Sequence, residues 1–281
     1  MKIKITADST CDLSEELISK YDLSIAPLTV VMDGRSYLDG VDITPFDIFD
    51  NVAKTKKLPK TSAVSPDEYR EFFQNALKGN DVVIHYNISS KASSSYANAV
   101  EAAKDFGGKV FVVDTLALST GQGLLALKAC DLKNEGKTPE EIVEITEGLR
   151  DRVNTSFVPD SLEYLHKGGR CSLTQMIGAK ILKLHPLIEM KDGQMFAKRK
   201  LQGSMENCFK RYIAELSAQY PVYDRTRCFI THSHCESSLV EKIKGLIKST
   251  FDFAQILITT AGSVITSHCG RGTLGLLFIS G

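Results

Sequence analysis

Five serines fall within residues 89–95, between a predicted buried strand at 81–88 and a predicted helix that begins near Tyr96. The N-terminus of a helix presents unpaired N–H groups and a partial positive charge, and serine hydroxyls can donate to the same anion. Serine is also a favoured helix cap, so one or two of these residues are expected without any ligand. The stretch therefore predicts either a helix cap alone or a cap combined with a binding site for an anionic group.

Two further polar segments could contribute to such a site. Thr61 and Ser62 lie in a hydroxyl-rich segment, predicted to be a loop, ahead of a helix that Ser65 and Pro66 begin. His268 stands among small polar residues and glycines, a setting that predicts an open loop and not an apolar core. Because histidine can donate an N–H to an anion and changes charge near neutral pH, a functional role for His268 is favoured.

Nucleophilic and metal chemistry are alternatives that the same residues leave open. A serine hydrolase would use Ser93 as its nucleophile and His268 as its partner, and it would need a placed base that the sequence does not reveal. His232 and His234 could place two metal ligands on one strand face, with His268-Cys269 the one further His/Cys group. A polar strand end is the favoured explanation of the two histidines, so no metal site is predicted.

A glycine motif, Gly121-x-Gly123-x-x-Ala126, fits a dinucleotide-binding fingerprint that follows a strand. Its glycines fall inside the predicted helix, whereas the fingerprint places them in a tight turn directly after the strand. Close helix packing is therefore favoured over nucleotide binding. The same pattern recurs at residues 270–275, but there it precedes a strand, which is the wrong context. No cofactor is predicted.

The composition is that of an ordinary globular protein: 281 residues, 43% of them hydrophobic and 24% charged. The formal net charge is zero, which argues against nucleic acid as a partner because phosphate backbones select basic faces. No apolar run approaches the roughly 20 residues that span a bilayer, and the first residues form a strand pattern, not a signal peptide. Seven scattered cysteines without a C-x-x-C motif indicate reduced thiols in a cytoplasmic protein.

Strands and helices alternate through the first half of the chain, which predicts an α/β fold with a mainly parallel, Rossmann-like sheet. The first strand ends in polar residues, where α/β proteins place ligand groups; a turn and cap are favoured for Asp12, while Asp8 and Ser9 stay open. After residue 152 the rhythm changes, and Asp192-Gly193 predicts a β-hairpin. We therefore predict two domains, at 1–153 and 154–281, the second an α/β domain with a mixed or antiparallel sheet.

Taken together, the motifs resemble those of the DegV family, in that family's order along the whole chain. The segments that carry the resemblance are residues 6–13 (TADSTCDL), 60–62 (KTS), 89–95 (SSKASSS), 164–170 (YLHKGGR), 184–188 (LHPLI) and 268–275 (HCGRGTLG). Each motif alone would be weak, but as a set they are specific.

The resemblance implies a fatty-acid-binding protein without catalysis of its own. The acyl chain would lie in an apolar tunnel, and its carboxylate would sit between the two domains against Thr61, Ser93 and His268. The full predicted ligand-binding set is Thr61, Ser62, Ser93, Ser94, Ser95, His268 and Arg271. An amphipathic helix predicted at 173–182 is a candidate tunnel wall, with ordinary core as its alternative.

The resemblance also implies a partner. In relatives that serve a bacterial fatty acid kinase, the bound acid is presented to a separate kinase subunit, which transfers a phosphoryl group from ATP to give an acyl phosphate. Arg170, in a glycine-rich segment near the mouth, is predicted to face that subunit. A transient contact with a membrane surface is compatible with this role.

This chain departs from the family pattern at two positions. Ser94 stands where the family commonly has the glycine of Ser-Gly-Thr, and a side chain there alters how closely the backbone can approach an anion. Arg271 stands where the family commonly has the proline of Gly-Pro-Gly. It adds a cation beside His268 that would either strengthen the binding of a carboxylate or phosphate or point to solvent.

Overall fold

The structure is a computed structural model that describes residues 1–169, 171–172 and 184–281, with the backbone alone at residues 171, 172 and 184. The strands are β1 (Ile3–Asp8), β2 (Ser24–Ala26), β3 (Thr29–Met32), β4 (Arg35–Leu38), β5 (Lys60–Ser62), β6 (Val82–Asn87), β7 (Val110–Asp114), β8 (Val153–Val158), β9 (Cys171–Ser172), β10 (Leu184–Lys191), β11 (Gln194–Gln202), β12 (Arg227–His232), β13 (Gln255–Thr260) and β14 (Leu274–Ile279). The helices are α1 (Glu15–Lys20), α2 (Pro45–Thr55), α3 (Pro66–Ala76), α4 (Ser95–Ala103), α5 (Thr120–Asn134), α6 (Pro139–Gly148), α7 (Glu163–Gly168), α8 (Met205–Gln219), α9 (Ser237–Thr250) and α10 (Ser263–Cys269).

The strands of the first half form two sheets. Four parallel strands make up the first sheet, in the order β2-β1-β6-β7. Three antiparallel strands make up the second, in the order β4-β3-β5. The alternation of strands and helices therefore predicted the parallel α/β sheet correctly.

The strands of the second half form a third, mixed sheet. Its order is β13-β12-β14-β8-β10-β11-β9, in which β13 and β9 run parallel to their neighbours and the other pairs are antiparallel. The hairpin between β10 and β11 turns at Asp192 and Gly193, whose φ angles are 50° and 77°. Two successive positive φ angles are what a type I′ turn requires, so the Asp-Gly pair predicted this hairpin correctly.

Helix α5 packs against strands of both the first and the third sheet. A Cβ atom at Gly123 would stand 2.8 Å from Leu13 Cδ2 and 2.9 Å from the Cys11 carbonyl oxygen, and one at Gly121 would overlap the Thr155 hydroxyl. Both glycines lie within the helix and allow this close approach. Close helix packing, the favoured interpretation of the glycine motif, therefore describes their role in the structure.

One hydrophobic cluster joins the sheets across α5. It contains Ile5 and Ile84 from the first sheet, Leu125 from α5, and Phe229 and Leu277 from the third sheet. Because this apolar core is shared, the division into domains at residues 153 and 154 stays a prediction.

Two of the loops predicted from sequence are wrong. Thr61 and Ser62 belong to β5, which pairs with β3 so that Thr61 lies opposite Val30. His268 lies in the last turn of α10. Neither element has a strong local signal, because β5 is three residues long without apolar alternation and α10 is only seven residues long. The helix predicted at 173–182 lies outside the described residues.

Within the part of the chain that the structure describes, no helix has the length and apolar character needed to cross a bilayer.

The six cysteines whose side chains are described are all free thiols. Burial raises the pKa of the Cys130, Cys228 and Cys269 thiols to about 12, so these groups stay protonated and unreactive at neutral pH.

Candidate functional site

A cavity of about 700 Å³ is walled by segments from both halves of the chain. Its volume falls within the range of about 300–1,000 Å³ that small-molecule sites occupy. Large apolar side chains form much of the wall, among them Leu28, Ile88, Phe157, Leu165, Met195 and Leu277. The polar part of the wall consists mainly of hydroxyl groups, with two histidines and one lysine, and among the described residues that line the cavity none is Asp or Glu.

Thr61 and His268 meet at the cavity wall. The Thr61 hydroxyl oxygen lies 2.8 Å from His268 Nε2, in a hydrogen bond whose direction depends on the histidine tautomer. Both residues line the cavity, although 207 residues of chain separate them. On its other side the imidazole faces α7, where a Cβ atom at Gly168 would stand 2.6 Å from His268 Nδ1. Because Gly168 has no side chain, there is space for the His268 ring.

The serine stretch divides into structural and cavity-facing members. Ser89 is fully buried, and its hydroxyl donates to the Gly193 carbonyl at 2.6 Å, which ties the stretch to the β10–β11 hairpin. Ser95 is also fully buried; its hydroxyl lies 3.0 Å from that of Ser93, and its N–H donates to the Ser93 hydroxyl oxygen at 3.2 Å. Ser93 therefore caps the start of α4 while it also lines the cavity.

Capping does not account for the remaining serines. Ser90 and Ser94 line the cavity together with Ser93. Ser94 occupies the cap position of α4, yet its side chain makes no capping hydrogen bond. The stretch thus combines a helix cap with hydroxyl groups that face the cavity.

Asp8 fixes the end of β6, directly before the serine stretch. Its fully buried carboxylate accepts the Ile88 N–H at 2.8 Å, the Asn87 side-chain amide at 3.1 Å and the Thr10 N–H at 3.1 Å. Burial raises the pKa of Asp8, although these hydrogen bonds offset part of the rise. Asp8 thus ties the end of β1 to the end of β6.

Two glycine-containing segments pack into each other near His268. A Cβ atom at Gly270 would stand 2.6 Å from Tyr164 Cδ2, just as one at Gly168 would meet the His268 ring. Each segment therefore presents an aromatic or imidazole ring to a glycine of the other. This arrangement holds the His268 ring of α10 against α7.

Lys91 is a cavity residue that the sequence did not single out as a site candidate, and His232, considered there only as a metal ligand, lines the same cavity. Lys91 is the only Lys or Arg among the described residues of the wall, and it is exposed. Burial, and to a lesser degree the neighbouring His234, lowers the pKa of His232, whose Nδ1 accepts the Cys235 N–H at 3.4 Å. Lys91 lies inside the serine stretch itself, so its position in sequence could have identified it.

The sequence profile of the DegV family, described as an uncharacterised protein family, matches residues 2–281. The chain belongs to the DegV family.

Three of the proteins similar to this chain are described as binding fatty acids. A fatty acid-binding protein of Thermotoga maritima is 32% identical over 282 residues, which cover 98% of this chain and 96% of that protein. The solved structure of a DegV family protein from Thermus thermophilus, described for its fatty acid binding, matches with a TM-score of 0.92, 31% identity and 100% of both chains covered. A stearic acid-binding protein from Eubacterium ventriosum matches with a TM-score of 0.87 and 26% identity over 99% of this chain and 98% of that one.

The DegV motifs do not all reach the cavity. Thr61, Ser62, Ser93, Ser94 and His268 line it. Ser95 is buried behind Ser93.

The second departure from the family pattern lies outside the described wall. The Arg271 guanidinium carbon lies 5.8 Å from the centre of the Phe49 ring, and Arg271 is exposed. Contact of Ser95 or Arg271 with a ligand stays a prediction, and Arg170 lies outside the described residues.

His232 and His234, the pair considered as metal ligands, do not belong to a metal-binding group in the described part of this DegV protein. Within residues 1–169 and 185–281, no three His, Cys, Asp or Glu side chains come together in a group that could hold a metal ion. His232 lines the cavity, whereas His234 packs its ring against Phe46 at a centroid distance of 4.5 Å. The rings of the two histidines in the H-x-H pair therefore lie in different surroundings.

Proposed function

We propose that this protein binds a long-chain fatty acid in the cavity, with the carboxylate near Thr61, Ser93 and His268, and presents that carboxylate to a separate ATP-dependent fatty acid kinase subunit. The observation that carries the proposal is the cavity of about 700 Å³ with apolar walls and the Thr61–His268 pair on its surface. Membership of the DegV family and the fatty-acid-binding relatives support it.

The apolar wall would supply most of the affinity. Burying a methylene group is worth about 0.8 kcal/mol, so a dozen methylenes contribute on the order of 10 kcal/mol before the cost of association. Side chains such as Leu28, Phe157 and Leu277 provide the apolar surface for such a tail. Polar contacts are then needed mainly to set the orientation of the acid.

The polar end suits a carboxylate. The hydroxyls of Thr61 and Ser93 and a ring N–H of His268 can all donate, and a carboxylate that accepts such hydrogen bonds escapes the penalty of an unpaired buried charge. No Asp or Glu among the described wall residues would repel it. Lys91 adds a positive charge to the same wall, so an anion is favoured over a neutral head group.

Presentation to a kinase requires that the head group be reachable. Ser62, Lys91, Ser94 and Ala97 line the cavity and are exposed, so part of the wall meets solvent near the serine stretch. A carboxylate held beside these residues would be open to a second protein. The transfer would join the carboxylate oxygen to the γ-phosphorus of ATP and release ADP.

Identification of a bound lipid tests the binding step. We expect a native mass spectrum of the purified protein to show one added mass of fatty-acid size, and extraction to yield that acid. The double variant Ser93→Ala/His268→Ala should fold and bind the acid about tenfold or more weakly. Ser249→Ala/His166→Ala, two exposed changes outside the cavity, should bind normally. Normal binding by the first double variant would refute the head-group assignment.

A coupled assay tests presentation. The loaded protein is mixed with ATP and a fatty acid kinase subunit, and any acyl phosphate is trapped with hydroxylamine as a hydroxamate. We expect hydroxamate only when both proteins are present. Tight fatty acid binding without any hydroxamate would leave the carrier role intact and remove the kinase role.

The serine hydrolase alternative remains an untested prediction that no observation favours. The Ser93 hydroxyl lies 3.0 Å from the Ser95 hydroxyl, and His268 Nε2 lies 2.8 Å from Thr61. Labelling of Ser93 by a fluorophosphonate probe, together with ester turnover, would revive this alternative.

A further inference from the structure

The first turn of α10 is held by two carboxylates from the far end of the chain. The Gly262 N–H donates to Asp12 Oδ1 at 2.8 Å, and the Ser263 N–H donates to Asp39 Oδ1 at 2.7 Å. These contacts span 250 and 224 residues of sequence. Helix starts carry unpaired N–H groups, and Gly262 has no side chain with which to cap them. The two aspartates therefore accept the hydrogen bonds that a local cap residue accepts in other helices.

Each carboxylate is itself held in place. The Ser119 hydroxyl donates to Asp12 Oδ2, and the Ser9 hydroxyl donates to Asp39 Oδ2 at 2.8 Å. Asp12 and Asp39 are 5% and 3% exposed, so neither carboxylate is free to exchange these partners for water. Burial raises the pKa of both groups.

Two backbone features show that the contact is tightly fitted. Asp12 adopts a φ of 50°, a left-handed conformation that costs a non-glycine residue about 1 kcal/mol. A Cβ atom at Gly262 would stand 3.1 Å from Asp12 Oδ1 and 3.3 Å from Asp39 Oδ1. Strain of this kind persists where the surrounding structure requires it.

The other end of the same short helix carries His268. Between the two ends, Val264 and Ile265 line the cavity, so α10 is a part of its wall. A helix of seven residues is about 10 Å long, and a shift at its start is carried to its end almost unchanged. The placement of His268 against Thr61 thus depends on the contacts made at Gly262 and Ser263.

We propose that Asp12 and Asp39 are positioning residues that hold α10 so that His268 stands against Thr61 and in reach of a ligand carboxylate. This inference rests on the proposed function, because His268 is the group through which the two aspartates act. Neither carboxylate lines the cavity, so their influence on binding is indirect.

A double-mutant cycle between Asp39 and His268 tests the inference. We expect Asp39→Asn to weaken binding of a C16 fatty acid about tenfold in the wild-type background and less than about twofold in the His268→Ala background. Binding of the matching C16 alcohol, which has the same tail and no carboxylate, should change less than about twofold in both backgrounds. Equal losses in the two backgrounds, or equal losses for acid and alcohol, would overturn the inference and leave the aspartates with a structural role alone.

A second variant covers the case in which Asp39→Asn does not fold. Gly262→Ala keeps both aspartates and pushes a methyl group against their carboxyl groups, so it should give the same cycle with His268→Ala. Gly245→Ala, on α9 where nothing lies within 4 Å of the added methyl, is the matched control and should leave both affinities unchanged. Wild-type protein that binds neither acid nor alcohol would overturn the proposed function, whereas normal wild-type binding with an additive cycle would overturn only the positioning role.

Discussion

Replacing His85 should flatten the dependence of stability on pH. His85 lies on β6 and is fully buried, with its Nδ1 2.8 Å from the Thr6 hydroxyl. The rings of Tyr69, Phe72 and Phe73 surround it at centroid distances of 5.2, 5.7 and 5.3 Å. Burial among these rings lowers its pKa from 6.5 to about 3. The folded protein therefore keeps this imidazole neutral at a pH where the unfolded chain protonates it.

The sign and size of the effect follow from that difference. Below pH 6.5 the unfolded state binds a proton that the folded state does not, so acidification stabilises the unfolded state. With a pKa of about 3 folded and 6.5 unfolded, going from pH 7 to pH 5 removes about 2 kcal/mol of unfolding free energy. The loss continues until the pH reaches the folded pKa near 3.

Three buried carboxylates act in the opposite direction. Burial raises the pKa of Asp8, Asp12 and Asp39, so their contribution to stability grows as the pH falls through the raised values toward the ordinary aspartate pKa. The total pH dependence mixes both effects. The difference between wild type and His85→Gln isolates the histidine, because the carboxylates are common to the two proteins.

Urea unfolding at pH 7, 6 and 5, followed by circular dichroism because the chain has no tryptophan, measures this difference. Wild type should lose about 2 kcal/mol more than His85→Gln between pH 7 and pH 5, whatever the absolute stability of the variant. His166→Gln, a change at an exposed histidine, should follow wild type. Parallel curves for wild type and His85→Gln would show that the buried imidazole is protonated in the folded state, which contradicts the argument.

Two further predictions concern packing and ligand length. Gly123→Ala should lower the unfolding free energy by about 1–2 kcal/mol, because the new methyl meets the Cys11 carbonyl. Gly245→Ala should raise the unfolding free energy by up to about 1 kcal/mol, because nothing lies near the new methyl. Urea unfolding of both variants measures these changes, and equal shifts would contradict the packing role of Gly123. Shortening the bound acid by four methylenes should weaken binding by about 3 kcal/mol, roughly two-hundredfold, in displacement of a fluorescent fatty acid; an affinity independent of chain length would argue against an apolar tail site.

Much of the fold is visible in sequence because its signals are local. The Asp192-Gly193 turn, the alternation of strands and helices, and the caps at Ser14, Ser65 and Thr138 each depend on residues a few positions apart. Such features form in the same way wherever their neighbours lie. The sequence therefore predicted the α/β class, the parallel sheet and the hairpin.

Part of the cavity wall could be anticipated from residue type, while contact of these residues with a ligand stays a prediction. The hydroxyl groups and the histidine stood out by type, and five of the seven predicted ligand residues line the cavity. Their predicted secondary structure was wrong where it depends on distant partners. β5 forms because β3 is beside it, and α10 begins where Asp12 accepts the Gly262 N–H and Asp39 accepts the Ser263 N–H. Neither the pairing of β5 with β3 nor the contacts of α10 across more than 200 residues leave a periodicity that a local pattern could reveal.

Helix α5 has a consequence for how this gene can recombine. The helix is encoded in the first half of the chain, yet Gly121 leaves space that the Thr155 hydroxyl of the second half fills. A chimera spliced between residues 153 and 154 would join a helix surface to a sheet surface from another lineage. Such a chimera should pack well only when the residue at 121 of one parent leaves space for the residue at 155 of the other. These two positions should therefore be inherited as a unit.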